Sequence, residues 1–204
     1  MRLAFAGLCF LTQTHITHKA KVYMDTTTTQ IETDRLILRP FKINDAQRVY
    51  ELLADGEIGK HIGYLPDPYN LDDAQTWLSS HEEQIKNKTG LPFAMTDKQT
   101  GDIIGSISLS SISKEHRHAE LGYWLAKAYW NNGFTTEAAR ALLDYAFENY
   151  DLLRIHAHHI ATNTASKRVL EKLGMIEEGL LRQHINHRGK QSDIIIRAIL
   201  KHEW

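Results

Sequence analysis

The stretch of sequence that decides the fold joins a predicted strand, a turn ending in glycine and the start of a helix, and it reads Ala119-Glu120-Leu121-Gly122-Tyr123-Trp124-Leu125-Ala126-Lys127-Ala128-Tyr129-Trp130-Asn131-Asn132-Gly133-Phe134-Thr135-Thr136. The first amide groups of a helix have no carbonyl partner within it, and the helix dipole adds partial positive charge there. A glycine turn lets backbone amides curl around an anion. Residues 131–136 are therefore predicted to hold a phosphate-bearing ligand, although the same pattern also fits an ordinary strand-to-helix connection.

The side chains of this turn agree with a phosphate site. Asn131 and Asn132 tolerate a left-handed backbone better than most residues, so the turn can work with one glycine. Thr135 and Thr136 add hydroxyl donors at the same place. The chain has no Gly-x-x-x-x-Gly-Lys-Ser/Thr motif and no Gly-x-Gly-x-x-Gly motif. A P-loop and a dinucleotide-binding unit are therefore not supported.

Composition indicates one globular domain. The chain has 204 residues, of which 42% are hydrophobic and 24% charged, with a net charge of −1. A charge so close to zero provides no general attraction for nucleic acid or an anionic membrane. The single cysteine, Cys9, cannot form an internal disulfide. No apolar run approaches the roughly 18–20 residues of a transmembrane helix, and we expect a cytoplasmic protein without a membrane partner.

The first thirty residues differ from the rest of the chain. Arg2 precedes a short apolar stretch, Leu3 to Leu11, which weakly resembles a secretory signal but lacks a convincing cleavage site. The simpler interpretation is a disordered or misannotated extension, with Met24 as an alternative start. We therefore predict residues 1–30 to be an extension and residues 31–204 to be the domain.

Residue periodicity after this extension predicts a mixed α/β domain in the order β-α-α-β-β-β-α-β-α-β-β. Asn44-Asp45 and Asn70 are predicted helix N-caps. A long helix over 134–150 carries one apolar stripe, made of Ala138, Ala141, Leu142, Tyr145 and Ala146. The remaining strands are predicted over 31–40, 92–96, 103–110, 119–125, 153–161, 175–181 and 193–200, and the remaining helices up to Ala54, over 71–86 and over 164–173.

Four segments, in order, resemble the GNAT N-acetyltransferases. The segment Tyr129-Trp130-Asn131-Asn132-Gly133-Phe134-Thr135-Thr136-Glu137-Ala138 is similar to the family's acetyl-CoA-binding pattern Tyr-Trp-Gly-Lys-Gly-Tyr-Ala-Thr-Glu-Ala. The other three are Thr33–Arg39, Gly101–Gly105 and Asn163–Met175. The nearest branch is the RimJ/RimL-like one, which acetylates ribosomal-protein N-termini. The resemblance implies a GNAT-like mixed, mostly antiparallel central sheet flanked by helices on both faces, with acetyl-CoA as cosubstrate and an amine as acceptor.

The resemblance also implies which residues hold acetyl-CoA. The pantetheine arm is expected along Tyr123, Trp124 and Leu125, and the pyrophosphate on the amides of Asn131, Asn132, Gly133, Phe134, Thr135 and Thr136. Trp130 is expected to pack around the cosubstrate, and Asn163 to contact pantetheine or to cap a helix. Two departures stand out: Asn131 and Thr135 replace smaller residues, and Leu170 lies where many members have a tyrosine general acid.

Three residues are candidates for proton transfer. Ser166 matches the position that protonates the CoA thiolate in this branch, although it also fits a plain first-turn hydroxyl. Glu120 is the candidate base, directly or through water, and its alternatives are an exposed strand carboxylate or a structural salt bridge. His184 is the rival base, because it lies on the late segment that closes the acceptor pocket in this branch, and its alternative is a surface histidine.

Twelve histidines raise the question of a metal. His156 and His158 share one strand face and His159 lies on the other, but no third ligand is evident, so we expect no metal site.

The sequence does not determine which amine accepts the acetyl group, and it leaves other functions as alternatives. The acceptor is either a protein N-terminal α-amine or a small amine such as a polyamine, an aminoglycoside or an amino acid. A CoA-binding regulator without turnover is a third alternative, and a phosphate-binding hydrolase is a distant fourth. A homodimer is expected by analogy only.

Overall fold

The computed structural model describes residues 20–25, 28–63 and 65–204. Within these ranges the chain forms nine strands and four α-helices. They are β1 (Lys21–Asp25), β2 (Thr28–Glu32), β3 (Leu36–Arg39), α1 (Ala46–Leu53), α2 (Leu71–Asn87), β4 (Leu91–Asp97), β5 (Ile103–Ser113), β6 (His118–Leu125), α3 (Phe134–Asn149), β7 (Arg154–Ile160), α4 (Thr164–Lys172), β8 (Ile176–His187) and β9 (Lys190–Leu200).

One sheet contains all these strands, in the order β1-β2-β3-β4-β5-β6-β7-β9-β8. Neighbouring strands are antiparallel, with one exception: β6 and β7 run parallel. The connection between that parallel pair contains α3, as a parallel crossover requires. The predicted mixed, mostly antiparallel sheet is confirmed, and so is the predicted order of elements from β3 to β9.

Helices cover both faces of the sheet. On one face α3 and α4 close the larger core, in which Ile107, Leu121 and Leu142 are buried. The five residues of the predicted α3 stripe are all buried there. On the other face α1 and α2 form a second core around Val49 and Leu78. Because successive strand residues point to opposite faces, β6 contributes Leu121 to the first core and packs Trp124 against the second.

The start of the sheet differs from the sequence prediction. A single strand over 31–40 is wrong, because a turn at 33–35 separates β2 from β3. The Thr33 hydroxyl accepts a hydrogen bond from the Leu36 amide at 2.9 Å, which stabilises that turn. β1 and most of β2 precede Ile31, so the sheet begins before the predicted domain boundary. The apolar stretch Leu3 to Leu11 lies outside the described residues.

The α2 cap follows the sequence prediction. The Asn70 side chain accepts from the Asp73 amide at 3.1 Å, and the Asp73 carboxylate accepts from the Asn70 amide at 2.9 Å. These two bonds satisfy amide groups that the helix leaves without partners. Among the described helices, none is long and apolar enough to cross a membrane.

Glu137 joins the β2–β3 turn to the first turn of α3. Its carboxylate accepts from the Thr33 hydroxyl at 2.5 Å, from the Arg35 amide at 2.9 Å and from the Arg35 guanidinium at 2.7 Å. Charged groups strengthen such bonds, and an acidic residue near a helix N-terminus also stabilises the dipole. The contact fixes the position at which α3 begins, and this position matters for the site.

Candidate acetyl-CoA site

The site begins where β6 and β7 stop pairing. Their parallel pairing is confined to His118–Glu120 on β6 and Arg154–His156 on β7. Beyond it, β6 continues to Leu125 paired only with β5, and β7 continues to Ile160 paired only with β9. The facing edges of these two strands are therefore open in the middle of the sheet. Open strand edges present N–H and C=O groups that can pair with an extended, amide-containing ligand.

The turn after β6 forms an anion cradle. Asn131 has φ 63° and Gly133 has φ 80°, both in the left-handed region. Asn131 therefore adopts the conformation that its side chain tolerates, as the sequence predicted. Gly133 is the N-cap of α3 and provides no side-chain cap, and the first backbone bond into this turn comes from Glu137. In the described part of the chain the amides of Phe134, Thr135 and Thr136 have no acceptor, so they are available to an anion.

Neighbouring side chains hold this turn in shape. The Asn132 side-chain NH2 group donates to the Trp130 backbone carbonyl at 3.0 Å. The Asn132 backbone carbonyl accepts from the Arg35 guanidinium at 2.9 Å. The same guanidinium lies 4.2 Å from the centre of the Phe134 ring. The Asn132 side chain thus stabilises the turn by bonding its backbone. This arrangement is preorganised, since the Arg35 contacts do not depend on a ligand.

Trp130 fixes the path from β6 to the cradle. Its indole N–H donates to the Leu125 carbonyl at 2.6 Å, and its ring contacts both cores. The His61 ring packs against it edge-on, with ring centres 5.5 Å apart. The indole therefore connects the end of β6 with the loop that follows α1.

On the α3 and α4 face, a hydroxyl pair connects β6 to α4 beside the open edges. The Tyr123 hydroxyl lies 2.8 Å from the Ser166 hydroxyl. The Asn163 side chain accepts from the Ser166 amide at 3.0 Å, so it caps α4. Burial raises the pKa of Tyr123 to about 12, so its proton is retained at neutral pH. Leu170, at the position where many family members have a tyrosine, has no hydroxyl and is fully buried in the core.

On the α1 and α2 face, Glu120 pairs with His158. The Glu120 carboxylate lies 2.6 Å from His158 Nδ1, at the residue where β6–β7 pairing ends. The bond to His158 holds the pKa of Glu120 below its usual range, and the same bond raises the pKa of His158. Trp124 lies on this face too, with its ring centre 6.4 Å from that of Trp77 on α2. The sequence did not predict the pairing of His158 with Glu120, because the β6–β7 register cannot be read from local patterns.

The structure does not bring His184 to Glu120. His184 is exposed on β8, next to the buried Ile185. Ile185 packs with Ile160, which shares its sheet face with His158, and strand alternation then directs His184 to the opposite face. The β8–β9 hairpin has another histidine, His187, on the same side of β8 as Ile185. Its ring nitrogen lies 3.1 Å from the Gly59 carbonyl. Sequence reasoning missed this contact, which connects the β8–β9 hairpin to the loop after α1.

His156 and His159 make no metal cluster with these residues. No group of three or more His, Cys, Asp or Glu side chains suited to a metal ion occurs in residues 20–25, 28–63 and 65–204. Burial lowers the pKa of both imidazoles.

An anion cradle at a helix N-terminus beside an open strand pair is an arrangement that can hold a phosphate-bearing ligand with an extended, amide-containing arm. Residues 35–176 match the family model described as an acetyltransferase (GNAT) domain. The chain belongs to the GNAT family and is an acetyl-CoA-dependent N-acetyltransferase.

Several curated proteins are similar over most of their length. The uncharacterized N-acetyltransferase YoaA of Bacillus subtilis is 31% identical over 84% of this chain and 96% of its own. The protein named "Putative ribosomal N-acetyltransferase YdaF", also from Bacillus subtilis, is 30% identical over 84% of this chain and 94% of its own. The [ribosomal protein uS5]-alanine N-acetyltransferase of Escherichia coli is 24% identical over 86% of this chain and 92% of its own.

Solved structures share the fold. An acetyltransferase of the GNAT family from Bacillus anthracis has a TM-score of 0.73 at 31% identity, covering 85% of this chain and 99% of its own. The microcin C7 self-immunity acetyltransferase MccE, solved with acetyl-CoA and AMP, has a TM-score of 0.76 at 21% identity, covering 82% and 93%.

Replacement of the cradle glycine tests the anion site. Gly133→Ala places a side chain on a backbone with φ 80°, which costs roughly 1–2 kcal/mol unless the turn moves. We expect the turn to shift and the Kd for CoA, measured by calorimetry, to rise about tenfold, the equivalent of about 1.4 kcal/mol.

The matched control for that variant is Gly101→Ala. Gly101 has φ 75° and no other heavy atom within 4 Å of an added Cβ, and it lies in the turn between β4 and β5. It should lose comparable stability and keep wild-type CoA affinity. Equal Kd values for the two variants would contradict the assignment of the cradle.

Proposed function

We propose that this N-acetyltransferase acts on the α-amine at a protein N-terminus. The observation that carries the proposal is similarity along nearly the whole length to proteins named for ribosomal-protein acetylation. Polar groups placed where β6 and β7 separate also suit an extended peptide end, which can approach an open strand edge with its amine foremost. A cytoplasmic location and a homodimer remain predictions of the same proposal.

In this proposal, acetyl-CoA lies across the opening between β6 and β7. The residues present fit it: the amides of residues 134–136 lack protein acceptors among the described residues and are available to phosphate, and the β6 edge over Tyr123–Leu125 can pair with the two amides of pantetheine. Trp130 supports this edge through its bond to the Leu125 carbonyl. Asn163 uses its side-chain oxygen as a cap, which leaves its NH2 group for a ligand carbonyl.

Two groups of side chains on opposite faces divide the proton transfers. Ser166, paired with Tyr123, is the proposed donor to the CoA sulfur on the α3 and α4 face. A tyrosine with a raised pKa stays protonated, so the pair retains a proton to give at neutral pH. Glu120 marks the proposed site of proton removal from the amine on the other face. The bound thioester supplies the electrophilic carbonyl.

A panel of acceptors tests the proposed function. Release of CoA thiol would be followed with peptides beginning with Ala, Ser or Met, with polyamines, with aminoglycosides and with free amino acids. We expect turnover on peptides, and we expect N-terminal acetylation of their products by mass spectrometry. The same peptides with blocked N-termini but free lysine side chains are the control and should be inert. Turnover confined to one class of small amines would contradict the peptide proposal and favour the small-amine alternative.

Substitution of the hydroxyl pair tests the donor. Ser166→Ala should lower kcat roughly 10²-fold, the lower range for loss of a proton-transfer group, with little change in the Kd for acetyl-CoA. Tyr123→Phe should lower kcat less, because Ser166 remains. Tyr150→Phe is the matched control, since the pKa of Tyr150 is also raised to about 12 but the residue lies at the far end of α3. Wild-type kcat in Ser166→Ala would contradict the assignment.

A further inference from the structure

Glu120 and His158 form a carboxylate–imidazole pair at the position where an amine would approach the open strands. The Glu120 oxygen lies 2.6 Å from His158 Nδ1, which is the distance of a charge-assisted hydrogen bond. Glu120 is the last β6 residue paired with β7, and it faces His156, two residues before His158. The pair therefore lies at the apex of the opening, on the face covered elsewhere by α1 and α2.

The bond between Glu120 and His158 Nδ1 determines which ring nitrogen of His158 can accept a proton. An imidazole that donates a hydrogen bond from its Nδ1–H to a carboxylate carries, in its neutral form, an unprotonated Nε2 that can accept a proton. No described residue forms a hydrogen bond with His158 Nε2, whereas a Glu120 oxygen is already occupied by the imidazole. The His158 side chain is also more accessible, at 38% against 25% for Glu120. Of the two groups, the imidazole is therefore the more exposed, and it has a nitrogen available to accept a proton from an incoming ammonium.

We infer that His158 Nε2 takes the proton from the acceptor amine, and that Glu120 is a positioning residue that holds the opposite side of the ring. This inference rests on the proposed acetyl transfer to an amine and makes a second residue essential to it. Glu120 acts through His158, as a carboxylate does when it orients an imidazole and stabilises its charged form.

The ionisation of the two groups agrees with this division of roles. A carboxylate with a lowered pKa is a weaker proton acceptor, and an imidazole with a raised pKa is a stronger one. The titratable groups facing His158 are Glu120 on β6 and His156 on its own strand, with His118 and the Glu178-paired Arg154 farther along the same strands. Its partner on β9, Ile196, is apolar. Glu120 is the acidic group directly bonded to it.

The step balances in protons and bonds. The amine arrives as an ammonium and gives one proton to His158, which returns it to solvent. The amine nitrogen then forms a bond to the acetyl carbon while the carbon–sulfur bond breaks. The nitrogen loses its second excess proton to the now neutral His158, the departing sulfur gains a proton from the hydroxyl pair, and the proton that His158 returns through solvent restores that pair. The products are one amide, one CoA thiol and one released proton.

The pH dependence of kcat distinguishes this role from a structural one. His158 must be neutral to act, so kcat should rise with pH through its raised pKa. Glu120→Gln keeps a hydrogen-bond acceptor and removes the charge, so the rising limb should move to lower pH. His158→Asn keeps a donor for Glu120, and it should lower kcat by roughly 10²–10³-fold and abolish that limb. One peptide is used throughout, so its own amine ionisation is constant.

His156→Asn is the matched control, because it makes the same chemical change on the same face of the same strand. In this variant the rise of kcat with pH should occur over the same pH range as in the wild-type enzyme. The inference would be overturned by a limb that persists in His158→Asn, or by one that moves equally in His156→Asn and Glu120→Gln.

A titration of the imidazole nitrogens by NMR needs no acceptor, so it separates this inference from the proposed function. In the free wild-type enzyme, His158 should titrate above ordinary histidines and show its proton on Nδ1 when neutral. In Glu120→Gln its midpoint should fall. A His158 signal that titrates identically in both proteins would overturn the inference even if peptides are acetylated, whereas the expected shift without peptide turnover would count against the acceptor alone.

Discussion

The end of the parallel pairing between β6 and β7 is the constraint on which the site depends. Each strand has a different second neighbour, β5 for β6 and β9 for β7, and both outer pairings continue past Glu120 and His156. The two strands are therefore held apart by stable sheet on each side, and their facing edges stay open. Because Leu125 ends β6 and Gly133 starts the helix soon after, the open edge leads directly into the anion cradle.

Strand alternation then separates the chemistry into two faces. Odd-numbered residues of β6 point toward α3 and α4, where Tyr123 meets Ser166. Even-numbered ones point toward the α1 and α2 face, where Glu120 meets His158. In the proposed mechanism, a ligand in the opening is thus approached by a proton donor from one side and a proton acceptor from the other. Regular strands and the first turn of α4 hold both groups, so the geometry does not require a loop to close.

Local signals explain how much of this could be predicted from the sequence. The Asn70 cap, the apolar stripe of α3 and the left-handed Asn131 are determined by neighbouring residues, and each was predicted. The β2–β3 turn was missed, because one strand was assigned around Leu36 and Leu38 although the polar run Glu32-Thr33-Asp34-Arg35 interrupts the alternation. The contact between Glu120 and His158 depends on the register of two strands that are distant in sequence, and no local pattern specifies that register. The exposed orientation of His184 follows from the same kind of long-range pairing.

Amide hydrogen exchange with and without CoA tests the central claim most directly, because it reports on the open edge and the cradle together. The structure predicts that CoA slows exchange at the β6 amides over 121–125 and at the amides over 133–136. Exchange at the paired residues of β4, which lies away from the opening, should not change. Protection of the cradle without protection of β6 would contradict the account of the open strands, and unchanged exchange in both segments at saturating CoA would contradict the site itself.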